Sequence, residues 1–509
     1  MTDASTPPSV LAWILAAGVL RWALAHWVTG YALVDDAYIH LRYARNLAQH
    51  GAFEYNLGEA VFGVTSPLFA LACAGLVRAV GALDGLLAPA VILLNLCAWS
   101  ALAWLVARDT ARGARGPVLA TLLLAPVFVD NQLLGMESAL FALLVFGAGR
   151  AALAGRTAIA ACWFGPALVT RPEAVLLAPW LVHAALSAHG AAGALRSMRQ
   201  ARFLIPLLAP GSAWATYALL HFGSVVPQSL VAKSGWNNAH YDELFGPSAA
   251  LLALPRLTFL PFVDHMPLDT QRAISFATLA AIVVVGATAM SSRDRAARFW
   301  FGFYATYLGF YLLGKGATEA SWYAVPSSVA LLLAARPALA RAADGLRRWE
   351  RPALVSWSLA LGLSSVVLAH LRAPLLRTYW DGYGRCAVAL AAEPRLAPYS
   401  AHRVVIGEIG VFGFASPHAV TDIGALVSPE VLPWKNAGAS FVEVVQRSGA
   451  SAFVISQRAL DTNDYPSLAC TAADEPERRW LERCELVASF LDKRAYFVPA
   501  SLRLDRSAP

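Results

Sequence analysis

The chain has 509 residues, of which 58% are hydrophobic and only 14% are charged, and its mean hydropathy is +0.52. Soluble domains carry roughly 25% charged residues, so this composition excludes a soluble protein. The net charge of +7 does not indicate a nucleic-acid-binding protein, because the arginines cluster in short loops between apolar segments. We therefore expect a multi-pass membrane protein whose environment is the lipid bilayer.

Apolar runs of about the length needed to cross a bilayer predict eleven spans. Arginine clusters in the loops between them all fall on the side of the N-terminus, which is therefore predicted to be cytoplasmic. An odd number of spans then places the C-terminus outside. The predicted spans are 10–30, 86–107, 117–131, 138–153, 157–171, 173–188, 203–221, 272–290, 298–314, 321–336 and 353–372.

Two long segments, 31–85 and 222–271, are predicted to be external loops. The first loop contains an apolar stretch at 66–83, which Arg78 interrupts. Counting this stretch as a span would break the arginine pattern, so we expect helices that lie on the membrane surface.

The composition changes near residue 374. Residues 1–373 are predicted to form an all-α polytopic membrane bundle with those loops, and 374–509 a small external α/β domain, because β-like and α-like patterns alternate there. Cys470 and Cys484 lie in this polar tail and could pair if it faces an oxidising compartment.

Asp35 and Asp36 stand where the first span leaves the membrane. Carboxylates are costly near a bilayer, so an adjacent pair in this place indicates a function. Either acid could instead only cap the helix that begins near Ala37, because Asp is a favoured N-cap residue.

Further acids, cations and aromatic side chains collect in the predicted external segments. Such a set suits an anionic lipid and a polar head group. The set comprises His40, Arg42, Glu59, Thr65, Ser66, Glu137, Arg171, Glu173, Lys233, Glu319, Trp322 and Tyr323.

These residues also have structural interpretations. Arg171 and Glu173 could pair with each other across a turn. Lys233 could be an ordinary interfacial lysine, and Trp322 and Tyr323 could belong to an aromatic belt.

The run DDAYIHLRYARNLAQHGAFEYNLGEAVFGVTSPLF resembles the first external loop of polyprenyl-phosphate-dependent glycosyltransferases of the GT-C type. It is most similar to the branch that includes the mycobacterial terminal arabinofuranosyltransferase. The runs GMESALF, TRPEA, VVPQSLVAKSG, ASWYAVP and GEIG…TDIGALVSPE follow in the family's order. Phe62 and Gln228-Ser229 depart from many relatives, which leaves the donor sugar and the acceptor open.

The resemblance implies transfer of a pentose or hexose from a polyprenyl-phosphate donor to a hydroxyl of a cell-envelope glycan or glycolipid, with inversion, outside the plasma membrane. No nucleic acid, protein partner or certain cofactor is implied, although the external acids could hold a divalent metal ion. Asp35 or Asp36 would be the general base. The remaining implied roles are a second acid for Glu137, donor phosphate or lipid binding for Arg42, Arg171, Lys233, Trp322 and Tyr323, and substrate binding for His40, Glu59, Thr65, Ser66, Glu173 and Glu319.

Two other classes of protein compete with this interpretation. A transporter or flippase for a lipid-linked sugar would show paired half-repeats or ionisable residues at the membrane midplane, and neither is evident in the sequence. A non-catalytic relative that serves as an assembly or binding partner is the second alternative.

Overall fold

The computed structural model describes residues 8–81, 84–233, 249–260, 263, 266–312, 321–345, 350–462, 470 and 472–503. The chain divides into two compact units. The first unit comprises Met1–Tyr31, Ala88–Ala215 and Asn237–Arg372, and the second comprises Ala32–Leu87, Thr216–Trp236 and Ala373–Pro509.

Helices make up most of the described chain up to residue 391. In chain order, the α-helices are Pro8–Ala23, Asp35–His50, Pro67–Val80, Leu87–Asp109, Arg112–Leu124, Pro126–Leu133, Ser138–Leu153, Thr157–Thr170, Ala178–Met198, Ala201–Phe222, Ala249–Arg256, Leu268–Ser291, Arg295–Phe310, Ala324–Ala334, Arg336–Gly345, Glu350–Thr378 and Arg385–Ala391. Leu24–Thr29 and Tyr379–Gly384 are π-helical, and Pro172–Leu177 and Ser321–Tyr323 are 3₁₀ turns.

Each of the eleven predicted spans overlaps a helix, and the all-α membrane bundle is confirmed. The number of spans is not. Within the described part of the chain, seven helices are long and apolar enough to cross a bilayer, or eight if the bent pair Ser321–Ala334 and Arg336–Gly345 is one span. Ser138–Leu153 and Thr157–Thr170 are apolar but shorter, below the roughly 20 residues that a perpendicular span needs.

The tail contains the predicted α/β fold. Its described strands are β1 Arg403–Ile406, β2 Ala419–Asp422, β3 Ala452–Ser456, β4 Glu485–Phe490 and β5 Lys493–Phe497. They form one sheet in the order β2-β1-β3-β5-β4, in which β1, β2 and β3 are parallel and β5 is antiparallel to both β3 and β4.

Crossover helices join the parallel strands, as parallel pairing requires. Ile409–Ala415 lies between β1 and β2, and Phe441–Arg447 precedes β3. Phe441–Arg447 packs with Phe453 and Trp480 in the core of the tail. Cys470 and Cys484 also pack against this core and are not joined by a disulfide bond.

The first predicted loop belongs to the same unit as the tail, and Arg42 ties the two together. Arg42 is buried, and its guanidinium lies 4.5 Å from the centre of the Tyr55 ring. Its N–H groups donate to main-chain oxygens of Tyr55, Gly413, Ser416 and His418. Since the guanidinium is directed at carbonyl oxygens on both sides, it fixes helix Asp35–His50 against helix Ile409–Ala415.

A second tie covers the edge of the sheet. The side chain of Asn56 donates to the Val420 carbonyl oxygen at 2.8 Å and accepts from the Val420 N–H at 2.9 Å. Glu59 forms an ion pair with Arg403. Because β2 is an edge strand, this turn occupies hydrogen-bonding groups that a second chain could otherwise take.

Replacing Arg42 with alanine should lower the free energy of unfolding of the second unit by about 3 kcal/mol or more, because several buried carbonyl oxygens lose their donor. Thermal unfolding, together with hydrogen exchange of Ile409–Ala415, measures this. The control is Arg385→Ala, which removes an exposed ion pair with Asp381 and should have little effect. Equal stability of the two variants would contradict the structural role of Arg42.

Candidate functional site

Asp35 is held by the tail. The side chain is buried, at 3% exposure, in the first turn of helix Asp35–His50. Its two carboxylate oxygens accept the N–H groups of Gly410 and Val411, each at 2.7 Å. These amides open helix Ile409–Ala415, where main-chain N–H groups lack partners within the helix. Asp35 therefore does not cap its own helix, in contrast to one of the two interpretations that the sequence allowed.

Gly410 makes this contact possible. A Cβ atom at this position would overlap the main-chain carbonyl oxygen of Asp35. Any larger residue must move a backbone segment. The tail run GEIG thus contains a glycine because another backbone passes directly against it.

Asp36 faces a different environment. Its carboxylate lies 3.9 Å from the Nζ atom of Lys233, and the two side chains are 33% and 32% exposed. The two acids are adjacent in the sequence but differ in their surroundings. Asp35 is enclosed by main-chain amides, whereas Asp36 is accessible and paired with a lysine.

Glu408 adds a third carboxylate to this part of the second unit. It immediately precedes helix Ile409–Ala415 and makes no capping bond to it. Burial, and next the charge of Asp36, raise the pKa of Glu408 to about 7, although Lys493 and Lys233 favour its ionised form. Burial, and next the charge of Glu408, also raise the pKa of Asp35 well above its ordinary value. Glu408 can therefore gain or lose a proton near neutral pH.

Asp422 is a fourth acid at the same sheet edge. It ends β2, as Glu408 follows the end of β1, and the carboxyl ends of neighbouring parallel strands meet at one edge. Asp422 is fully buried and accepts N–H groups of the turn that follows it, Gly424 at 2.7 Å and Leu426 at 2.5 Å. Burial raises its pKa to about 6.

The other predicted residues of the second unit have contacts inside it. His40 is buried and meets the Phe69 ring edge-on, with ring centres 5.7 Å apart. Ser66 is buried, and Thr65 is half-buried. Arg42 and Glu59 make the ties described above. Substrate binding by these side chains, and phosphate binding by Arg42, stay predictions.

The first unit contains a separate buried charge network. Arg171 donates to Glu137 at 2.6 Å and pairs with Glu173 at 3.2 Å. The hydroxyl group of Tyr311 donates to Glu173 at 2.6 Å. Arg171 and Glu173 thus pair with each other, as the structural interpretation held, and Glu137 joins them.

Aromatic rings complete this network. The Arg171 guanidinium lies 4.5 Å from the centre of the Tyr323 ring, and the Trp322 ring is 6.1 Å from Tyr323. The structure therefore brings together five predicted residues, Glu137, Arg171, Glu173, Trp322 and Tyr323. Glu319 lies outside the described residues.

Sequence reasoning missed Glu408 as a neighbour of the acid pair, and Asp422 and Lys493 as neighbours of Glu408. The signal was present in GEIG and TDIG, each an acid followed by a glycine at the end of a β-like run. Among the residues that the structure describes, no group of three or more His, Cys, Asp or Glu side chains is arranged to hold a metal ion.

Gly410→Ala should lower the melting temperature of the protein, because the added Cβ atom forces Asp35 away from its two amides. The matched control is Gly75→Ala, in a helix of the same unit, where a Cβ atom would meet no other atom within 4 Å and alanine favours the helix. If Gly410→Ala melts at or above the wild-type temperature, the contact is not needed for stability.

Arg171→Ala should destabilise the first unit by about 3–5 kcal/mol, because the buried Glu137 and the half-buried Glu173 lose the cation that they share. Tyr311→Phe removes one hydrogen bond to Glu173 and should cost about 1 kcal/mol. Chemical unfolding of the full chain in detergent measures both. Arg272→Ala, which breaks an exposed ion pair with Asp269, is the control, and an Arg171→Ala protein as stable as this control would contradict the assignment.

Comparison with known proteins gives matches at the level of structure. No protein-family model matches the sequence, and the curated proteins contain no match. ArnT from Cupriavidus metallidurans bound to undecaprenyl phosphate is 12% identical, with a TM-score of 0.62 over 98% of this chain and 100% of that chain. The Archaeoglobus fulgidus oligosaccharyltransferase AglB, in complex with an inhibitory peptide and a dolichol-phosphate, is 11% identical, with a TM-score of 0.53 over 97% of this chain and 74% of that chain.

The predicted branch within the family is not settled by these comparisons. The mycobacterial arabinofuranosyltransferase AftD is 17% identical over 98% of this chain and 42% of that chain. Its TM-score of 0.47 is too low to bear on the branch. The two matches with higher scores are glycosyltransferases of the GT-C type. The chain therefore has the GT-C fold, as the sequence predicted.

Proposed function

We propose that the protein is a polyprenyl-phosphate-dependent glycosyltransferase. It transfers a sugar from a lipid-phosphate donor to a hydroxyl of a cell-envelope glycan or glycolipid, on the external face of the plasma membrane. The observation that carries the proposal is the accessible pair of Asp36 and Lys233. One of these groups can accept a proton, and the other can hold a phosphate.

The fold supports a lipid-phosphate donor. One structure with this fold holds undecaprenyl phosphate, and another holds a dolichol-phosphate. Long apolar helices would let this chain meet such a donor in the membrane. By resemblance, arabinofuranose is the first candidate for the sugar and a hexose the second.

The reaction follows from the two charges. A carboxylate of the first loop takes the proton of the acceptor hydroxyl, and the oxygen attacks the anomeric carbon of the donor. The bond from that carbon to the phosphate oxygen breaks, and its electrons leave with the polyprenyl phosphate. Lys233 stabilises the charge that develops on this leaving group. A single displacement inverts the anomeric configuration.

We assign the donor phosphate to Lys233 and not to Arg171 or Arg42. Arg171 already pairs with two carboxylates, those of Glu137 and Glu173. A phosphate bound there would be repelled by these two negative charges. Arg42 is directed at main-chain oxygens. We propose that Arg171 instead orders Glu137 and the ring of Tyr323, which keeps Glu137 as the proposed second acid.

The proposal is tested with the double variant Asp35→Asn/Asp36→Asn and with Lys233→Met, using synthetic polyprenyl-phosphate arabinofuranose and a polyprenyl-phosphate hexose as donors. Loss of both carboxylates should reduce kcat by about 100-fold or more, because general base catalysis contributes this much. Lys233→Met should raise the KM for the donor. Asp381→Asn, an exposed acid of the second unit, is the control. Transfer by the double variant at the rate of the control would overturn the proposal.

A further inference from the structure

We propose that the three acids divide the work of the second unit. In this scheme Asp36 accepts the proton from the acceptor, Glu408 of the tail shares that proton, and Asp35 is a positioning residue that holds the other two in register. The inference rests on the proposed function and deepens it, because it names the base and adds a residue that lies outside the first loop.

Hydrogen bonding across the unit brings Asp36 and Glu408 together. Asp35 is bonded to Gly410 and Val411. Asp36 follows Asp35 directly, and Glu408 stands two residues before Gly410. The bonds of Asp35 hold two segments of the chain together at one point, so residues near that point stay close. Asp36 and Glu408 therefore lie within electrostatic reach of each other.

Access distinguishes the base from the positioning residue. A general base must come within hydrogen-bonding distance of the hydroxyl that it deprotonates. Asp35 is 3% exposed, and each of its oxygens already accepts an amide N–H. Asp36 is 33% exposed, so only Asp36 of the first-loop pair is open to an acceptor.

The surroundings of Glu408 suit a shared proton. Acids on helix Asp35–His50 and at the end of β2 oppose the ionisation of Glu408. Lysines on β5 and at the end of the described segment 84–233 favour it. The groups concerned are Asp35, Asp36, Asp422, Lys233 and Lys493, and the phenol of Tyr383 lies 4.7 Å from the Nζ atom of Lys493. Because burial and Asp36 raise the pKa of Glu408 to about 7, the pair holds one proton below that pH.

The proton balance is complete within the site. In the form that reacts, the pair of Asp36 and Glu408 carries no proton, so both carboxylates can share the one that arrives. The O–H bond of the acceptor breaks, and its proton goes to Asp36 as the oxygen bonds to the anomeric carbon. The electrons of the broken carbon–oxygen bond leave with the phosphate. Loss of one proton to water restores the pair.

Carbodiimide labelling tests the shared proton without any donor, since carbodiimides react with protonated carboxyl groups. Dicyclohexylcarbodiimide is added to the full chain in detergent between pH 5 and 9, and mass spectrometry follows modification of Glu408. Labelling should fall as the pH rises through about 7, and in Asp36→Asn the midpoint should move to lower pH because a neighbouring negative charge is gone. The Asp381→Asn control should keep the wild-type midpoint. A midpoint below pH 5.5, or one that Asp36→Asn leaves unchanged, would overturn the shared proton.

Transfer kinetics test the division of work. Asp36→Asn should lose about 100-fold or more in kcat at an unchanged melting temperature. Asp35→Asn should instead lower the melting temperature and move the inflection near pH 7 to lower pH in its folded fraction, because Asp36 and Glu408 are no longer held together. Gly410→Ala, which removes no titratable group, should reproduce both changes. Glu408→Gln should lose the inflection near pH 7, and Glu408→Asp should restore it.

The outcomes separate this inference from the proposed function. Wild-type transfer together with full activity of Asp36→Asn would overturn the inference and leave the function standing. Loss of activity in Asp35→Asn at an unchanged melting temperature would also overturn it, because Asp35 would then be the base. Absence of transfer by the wild type with every donor, alongside the expected labelling, would overturn the function and support the shared proton.

Discussion

The second unit depends on the contact between the Asp35 carboxylate and the amides of Gly410 and Val411. A buried carboxylate is costly unless its charge is compensated, and here two N–H groups at the start of a helix compensate it. The absence of a side chain at Gly410 allows the backbones to meet. Arg42 repeats the arrangement with opposite polarity, since its N–H groups bind carbonyl oxygens of the same tail segment.

The contact between Asp35 and the tail brings several negatively charged side chains close together. Asp36 follows the bonded Asp35 in the sequence, and Glu408 lies two residues before the bonded Gly410. Lys233 and Lys493 only partly offset the negative charge around Glu408. Structures held together for stability alone rarely retain such crowding, whereas sites that move protons near neutral pH require it. The first loop supplies Asp36 and the tail supplies Glu408, and the proposed glycosyl transfer rests on these two acids.

Local patterns predicted the acid pair, the tail of strands and helices, and the positions of the apolar helices. They could not predict the partners of Arg42, because Gly413 is 371 residues away along the chain and contributes only a main-chain oxygen, which leaves no mark on composition. Glu408 was missed because Asp36 is remote from it along the chain, although the GEIG run marks an acid at the end of a β-like run. The count of eleven spans is not confirmed, because hydrophobicity alone does not fix helix length: Ser138–Leu153 and Thr157–Thr170 are apolar yet short.

The most direct test of the account is a cryo-EM structure of the full chain in lipid nanodiscs with undecaprenyl phosphate. The account predicts that the phosphate lies within salt-bridge distance of the Nζ atom of Lys233, on the same side as the Asp36 carboxylate. It also predicts that Asp35 keeps its bonds to Gly410 and Val411. A phosphate bound by Arg171 and remote from Lys233, or an Asp35 side chain released from the tail to face the phosphate, would contradict it.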